Sequence, residues 1–182
     1  MSNQIPPVLD KIFSEDSTPD AVFSALLPAL GEVLQCDRIF LYLRDPHTSI
    51  GKVPYCWRRT QEYPNILDAD WKKEPESLPK EDPLFAAALH TKPSVFVEDV
   101  ETANPEVVNK AFEQKEFGHR ALVHAHLCKD NLLWGILQPC VFGQPRVWTP
   151  EDRSILTTVT EKLTPLAVAY ILAAKSSIPT GR

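Results

Sequence analysis

The stretch from Phe117 to Pro150 constrains the fold of this chain more than any other. Two long apolar runs flank Lys129-Asp130-Asn131-Leu132. Asp and Asn tolerate the positive φ that a two-residue turn requires, so the segment predicts a β-hairpin. Gln144-Pro145-Arg146 then breaks the strand. Thr149-Pro150-Glu151-Asp152 starts a helix, with Thr149 as N-cap and Pro150 at the first helical position.

The remaining segments supply the hairpin's neighbours. Residues 6–13 predict a short helix with Val8, Leu9, Ile12 and Phe13 on one side. A helix over 19–35 follows, its apolar face made of Phe23, Leu26, Leu27, Leu30, Val33 and Leu34. Residues 37–44 form a strand that is apolar on both faces and therefore central. Residues 52–60 return as a second strand, with Val53, Tyr55 and Trp57 on one face and Cys56 and Arg58 on the other. Pro54 suits an edge or a bulge there. Residues 61–81 read as a polar loop, and a loop of that length is uncommon unless it covers something. A short helix from Asp82, a strand over 94–100, a helix over 105–116 capped by Asn104, and a last helix from Pro150 to about Ser176 complete the order. Pro28 and Pro165 predict kinks in the first and last long helices.

Tight turns make neighbouring strands antiparallel. The fold class is therefore α+β: an antiparallel sheet of five to six strands, with terminal helices on one face and loops and short helices on the other. A length of 182 residues fits one domain over 18–176, preceded by an extension over 1–17 and followed by a flexible tail over 177–182. A net charge of −5 without a basic block argues against a nucleic-acid partner. No apolar run in the sequence approaches a membrane span, and the first residues lack the plan of a signal peptide. A cytoplasmic location is expected, with Cys36, Cys56, Cys128 and Cys140 as thiols.

Candidate site residues lie on the hairpin and around the long loop. Arg120, His124 and His126 alternate on one face of the first hairpin strand with Leu122 and Cys128. Counting back from the Asp130-Asn131 turn puts Leu133, Leu137 and Pro139 on that face, with Gly135 opposite His126. Ala121, Val123, Ala125 and Leu127 share the other face with Trp134, Ile136, Gln138, Cys140 and Phe142. The first face is mixed, as a pocket requires, and the second is apolar, as helix packing requires. The two histidines admit three readings: satisfaction by nearby backbone, capture of a small anion with Arg120, or a His-x-His metal site that lacks a visible third ligand. Trp57 and Arg58, with Arg59, offer an aromatic ring and guanidinium forks to a carboxylate or phosphate, or else pair with acids of the next loop. Trp71 is a lid anchor, a partner contact or simple packing. The acids around Glu98 and Asp99 read as a solvated strand end.

The order resembles the GAF domain, and most closely the GAF domains of phytochromes and cyanobacteriochromes. Leu34-Gln35-Cys36-Asp37-Arg38, Arg120-Ala121, Leu133-Trp134-Gly135-Ile136-Leu137 and Pro145-Arg146-x-Trp148 carry the likeness, over roughly residues 19–175. The resemblance implies a sensory module that binds a small molecule or a protein partner. Bilin-binding relatives attach the chromophore to a cysteine on the helix before the hairpin. Residues 104–113 contain none, and a chromophore-contacting histidine of the family falls on Cys140. No covalent bilin and no other cofactor is expected. The family often pairs through its first and last helices, so a homodimer is expected, because Ile155, Leu156, Val159, Leu163, Leu166, Val168, Ile171 and Leu172 spread over more than one side of the last helix. No Gly-rich phosphate loop, serine elbow or metalloprotease motif appears, so no enzyme is expected. The alternatives are a thiol-dependent enzyme of the free methionine sulfoxide reductase type and a non-covalent chromophore binder.

Overall fold

The computed structural model describes residues 5–15 and 18–179. The elements are α1 (Pro7–Glu15), α2 (Pro19–Leu34), β1 (Arg38–Asp45), β2 (Ile50–Arg58), β3 (Lys72–Lys73), α3 (Leu78–Glu81), α4 (Pro83–Leu89), β4 (Val95–Val97), α5 (Lys110–Glu116), β5 (Ala121–Lys129), β6 (Leu132–Val141) and α6 (Pro150–Ala174). The sheet is antiparallel with strand order β3-β2-β1-β6-β5-β4. β1 and β6 are central, which explains why β1 is buried on both faces.

The hairpin forms as the turn chemistry demands. Asp130 and Asn131 adopt φ of 55° and 60°, the paired left-handed residues that match the twist of the flanking strands. Thr149 and Asp152 close a capping box at the start of α6, around Pro150. Both long helices continue through their internal prolines.

α2 and α6 cover one face of the sheet. Leu26, Leu30, Ile39, Leu41, Val123, Leu137, Val159 and Leu163 form the main core there. α1 belongs to this layer. Ile5 and Leu9 are buried in the core, and Ile12 and Phe13 pack against it. Some of the apolar surface that suggested a second copy is therefore covered within the same chain. α6 is long and apolar enough to cross a membrane by length and composition, contrary to the reading that no run approaches that length. One of its faces, including Ile155, Val159, Leu163, Ala167 and Ile171, is packed in the core. Ile178, in the expected tail, is also buried; residues 180–182 lie outside the described residues, as do 1–4, 16 and 17.

Two register shifts re-aim side chains. Leu127 pairs with Gly135, yet Cys128 pairs with Leu133, so β6 carries an extra residue next to the turn. A one-residue slip moves every later side chain to the other face. Leu137 therefore joins the helix-side core and Trp134 stays with it, while Ile136 and Gln138 face the other way, the reverse of the count from the turn. Likewise, Leu41 pairs with Tyr55 but Leu43 with Lys52, which places a bulge at Val53-Pro54. Val53 faces away from the helices, and Tyr55 and Trp57 pack toward them.

The helix expected over 105–116 begins only at Lys110. Asn104 Oδ1 accepts from the backbone N–H of Glu106 at 2.9 Å and forms a turn instead. Asn109 then caps the helix through Phe112 N–H.

Candidate functional site

The sheet face opposite the long helices carries an open cavity of about 340 Å³. Its floor is Phe40 and Tyr42 from β1, Gly51 and Val53 from β2, His124 from β5, and Ile136 and Gln138 from β6. Its walls and roof come from Asp68, Lys72–Pro75 and Leu78 of the long connection, Asp82 and Phe85 at α4, Phe112 of α5, and Phe117. Gly51 is needed here, because a Cβ would come within 2.3 Å of the Tyr42 hydroxyl.

The long connection is fixed over the sheet by buried polar contacts. Arg44 donates to Glu74 from Nε (2.8 Å) and Nη2 (2.7 Å), and the Tyr42 hydroxyl donates to Glu74 Oε2 at 2.6 Å. Burial, with Glu74 beside it, pushes the Tyr42 hydroxyl far above its ordinary pKa, so it stays a donor. The backbone N–H of Val53 donates to Asp68 Oδ2 at 2.9 Å, and Arg38 Nη1 donates to Pro64 O at 3.0 Å.

Four further titratable groups lie in or beside the cavity: Asp82, Glu113, His124 and His126. Asp82 caps α4 by accepting from Leu84 N–H, and burial next to Glu113 pushes its carboxyl up to about 7. Glu113, itself buried, is pushed up to about 8, and it meets His119 Nε2 at 2.5 Å. His124 Nδ1 lies 2.8 Å from His126 Nε2, and His126 Nδ1 lies 2.7 Å from the Lys92 carbonyl oxygen. Burial holds His124 well below the usual imidazole range and lowers His126 too. Gln138 is 3% exposed, and its Nε2 has no hydrogen-bond partner.

The sequence model of the GAF domain matches residues 18–164. This chain belongs to the GAF domain family. In fold it is similar to GAF3 of Slr1393 from Synechocystis sp. PCC6803 in its photoproduct state, with a TM-score of 0.64 and 22% identity over 86% of this chain and 98% of that one. It is similar to the phycoerythrobilin-bound GAF domain of a cyanobacterial phytochrome, with a TM-score of 0.69 and 15% identity over 95% and 97%. It is also similar to the GAF domain of Acinetobacter phosphoenolpyruvate-protein phosphotransferase, with a TM-score of 0.65 and 13% identity over 93% and 95%. No curated protein matches it in sequence.

The residues that carry the family likeness act as staples of this GAF domain. Asp37 Oδ2 accepts from Phe142 N–H at 2.9 Å, tying the start of β1 to the end of β6. The Trp148 indole donates to Val97 O at 3.0 Å, and Arg146 bridges Asp152 and the Gln35 carbonyl. At Gly135 a Cβ would sit 2.6 Å from the Tyr42 carbonyl oxygen, so only glycine lets β6 approach β1.

Of the expected site residues, His124 lines the cavity. His126 sits beside it, behind His124, bonded to the Lys92 backbone. Arg120 does not reach the cavity. Its Nε and Nη2 donate to Asp99 at 2.7 and 3.0 Å, and Nη2 lies 3.2 Å from Glu101, so the acidic strand end is its counter-charge. Trp57 lies on the helix side, where its ring fills the space beside Gly31 of α2. Arg58 Nη1 donates to the carbonyls of Gln61 and Tyr63, and so holds the start of the loop. Trp71 also packs on the helix side, 6.5 Å from the Tyr170 ring, with Lys52 Nζ 4.9 Å from its centre. The cavity residues missed by sequence reasoning include Tyr42, Asp82, Phe117 and Gln138. Gln138 gave a usable signal, a lone amide in an apolar strand; Phe117 gave none.

Proposed function

We propose that this GAF domain is a non-catalytic sensory module that holds an uncharged, mainly apolar small molecule in the cavity without a covalent bond. The occupied state is reported to a partner protein by contact. The observation that carries this reading is an open cavity, lined by Phe40, Phe85, Phe112, Phe117 and Ile136, with Gln138, whose buried amide nitrogen has no partner, on its floor. A buried amide left unpaired costs about 1–3 kcal/mol, which a ligand acceptor relieves. Phe112 lines the space rather than filling it, while Trp71 and Leu122 pack elsewhere.

The charge balance argues for a neutral ligand in place of the acidic one expected with Arg120. Arg44 is occupied by Glu74, Lys72 Nζ by Asp68, and Lys73 Nζ by the Thr48 carbonyl. The deeper groups, His124 and Gln138, are uncharged.

Relatives that hold bilins favour a chromophore-sized or smaller planar ligand as one form of this reading. α5 carries no cysteine, and none of the residues named around the cavity is one, which supports non-covalent binding. Burial pushes the Cys36 and Cys128 thiols above their ordinary range, so they are poor nucleophiles, which disfavours the thiol-enzyme alternative. The test is the absorption spectrum and mass of the purified protein before and after denaturation. The expected result is a bare chain mass after denaturation. A visible band and an added mass that both survive denaturation would overturn non-covalent binding.

A further inference from the structure

We propose that the cavity selects ligands presenting an –NH–C(=O)– edge, as in an uncharged lactam ring, with the N–H against His124 Nε2 and the carbonyl against the Gln138 amide. This rests on the reading of the cavity as a ligand site and adds the pattern of the ligand's hydrogen-bonding edge.

The far end of the histidine pair fixes the tautomer of both rings. The Lys92 carbonyl oxygen can only accept, so His126 Nδ1 carries a proton and donates to it. A neutral His126 then has a bare Nε2, which accepts from His124 Nδ1–H. That leaves His124 with a bare Nε2. The alternative arrangement would require a doubly protonated His126, which its burial disfavours. Both rings are thus held in the Nδ1–H form, and His126 is the residue that sets the form of His124. Among the described residues His124 Nε2 makes no hydrogen bond, and His124 lines the cavity.

Gln138 is the cross-strand neighbour of His124. The pairs Leu122–Cys140 and Ala125–Leu137 bracket them in register, and both side chains line the cavity. Neighbouring side chains on one sheet face stand about 5 Å apart at Cβ, a spacing that one ring edge can span. An acceptor on His124 beside an unpartnered amide N–H on Gln138 is complementary to a donor beside an acceptor. Ligands lacking that pair leave both protein groups unpaired in an apolar site, which is the basis of strong rejection. His126 is a positioning residue in this scheme, because it acts only through His124.

The test uses three probes of similar shape: isocarbostyril, N-methylisocarbostyril, which lacks the donor, and naphthalene, which lacks both groups. Binding is measured on the full chain by protein NMR, with ¹⁵N-labelled histidine. In the free protein His124 and His126 should both show protonated Nδ1 and bare Nε2. Isocarbostyril should bind roughly tenfold or more tightly than its N-methyl analogue, and it alone should shift the His124 Nε2 resonance. In His126→Phe the free ring of His124 should change tautomer and the preference should fall to about parity, while naphthalene binding persists. Protonated Nε2 on His124 in the free wild-type protein would overturn the proposal without any ligand or variant. Equal binding of all three probes would overturn it while leaving the cavity reading intact. Binding of none of them would overturn both.

Discussion

Glu74 receives Arg44 on both carboxylate oxygens, from Nε and Nη2, with both side chains nearly out of solvent. One residue belongs to a central strand and the other to the long connection after β2, so this pair sets where the roof of the cavity sits. The same carboxylate takes the Tyr42 hydroxyl. Breaking a buried pair from one side leaves an uncompensated charge and costs about 3–5 kcal/mol. Glu74→Ala is expected to destabilise the fold by that order and to open residues 61–81 to limited proteolysis. Tyr42→Phe should cost less, about 1.5–3 kcal/mol, since it removes one hydrogen bond to the carboxylate and leaves the ion pair in place. Urea unfolding with a proteolysis time course checks both.

Burial lowers both histidines, His124 well below the usual imidazole range, which disfavours their charged forms. Two carboxyls are raised instead, Asp82 to about 7 and Glu113 to about 8. Each binds its proton more tightly folded than unfolded. Their contribution to stability is therefore fully present below their unfolded values near 4 and is lost as pH rises through about 7 and 8. The unfolding free energy should fall between pH 5 and 8.5, and Glu113→Gln should flatten the upper part of that fall. A wild-type curve no steeper than that of the variant would contradict the assignment.

α1 is part of the core rather than an appendage. Leu9 is fully buried. Leu9→Ala should cost about 2–5 kcal/mol by thermal or urea unfolding, as for other large-to-small core changes. The exposed neighbour Val8, at 49%, should tolerate the same change within about 0.5 kcal/mol.

The sequence showed the layer plan because its signals are local. Asp130-Asn131 gives the turn, Thr149-Pro150 the cap, and β1's two-sided burial its central place. Pro54 correctly marked a bulge. The faces of β6 were not legible, because the extra residue beside the turn leaves no composition signature and reverses every side chain after it. That single slip moved Ile136 and Gln138 into the cavity and Leu137 out of it. Arg120 was misplaced for a different reason. Its strand parity is right, but its counter-charge comes from Asp99, 21 residues away in sequence, and pairing at that range is set by the fold. Trp57 and Trp71 drew notice as aromatics among polar residues, yet both found ordinary packing partners on the helix side.

The central claim is that the space above Ile136 holds an uncharged small molecule. Ile136 is buried and lines that space, so Ile136→Trp should fill it. The decisive measurement is fluorescence titration of wild type and Ile136→Trp with N-phenylnaphthylamine, an uncharged apolar probe, with circular dichroism to confirm that the variant is folded. The account predicts saturable binding to wild type and at least a tenfold loss in the folded variant. Binding of equal strength to both proteins, or none to wild type, would contradict it.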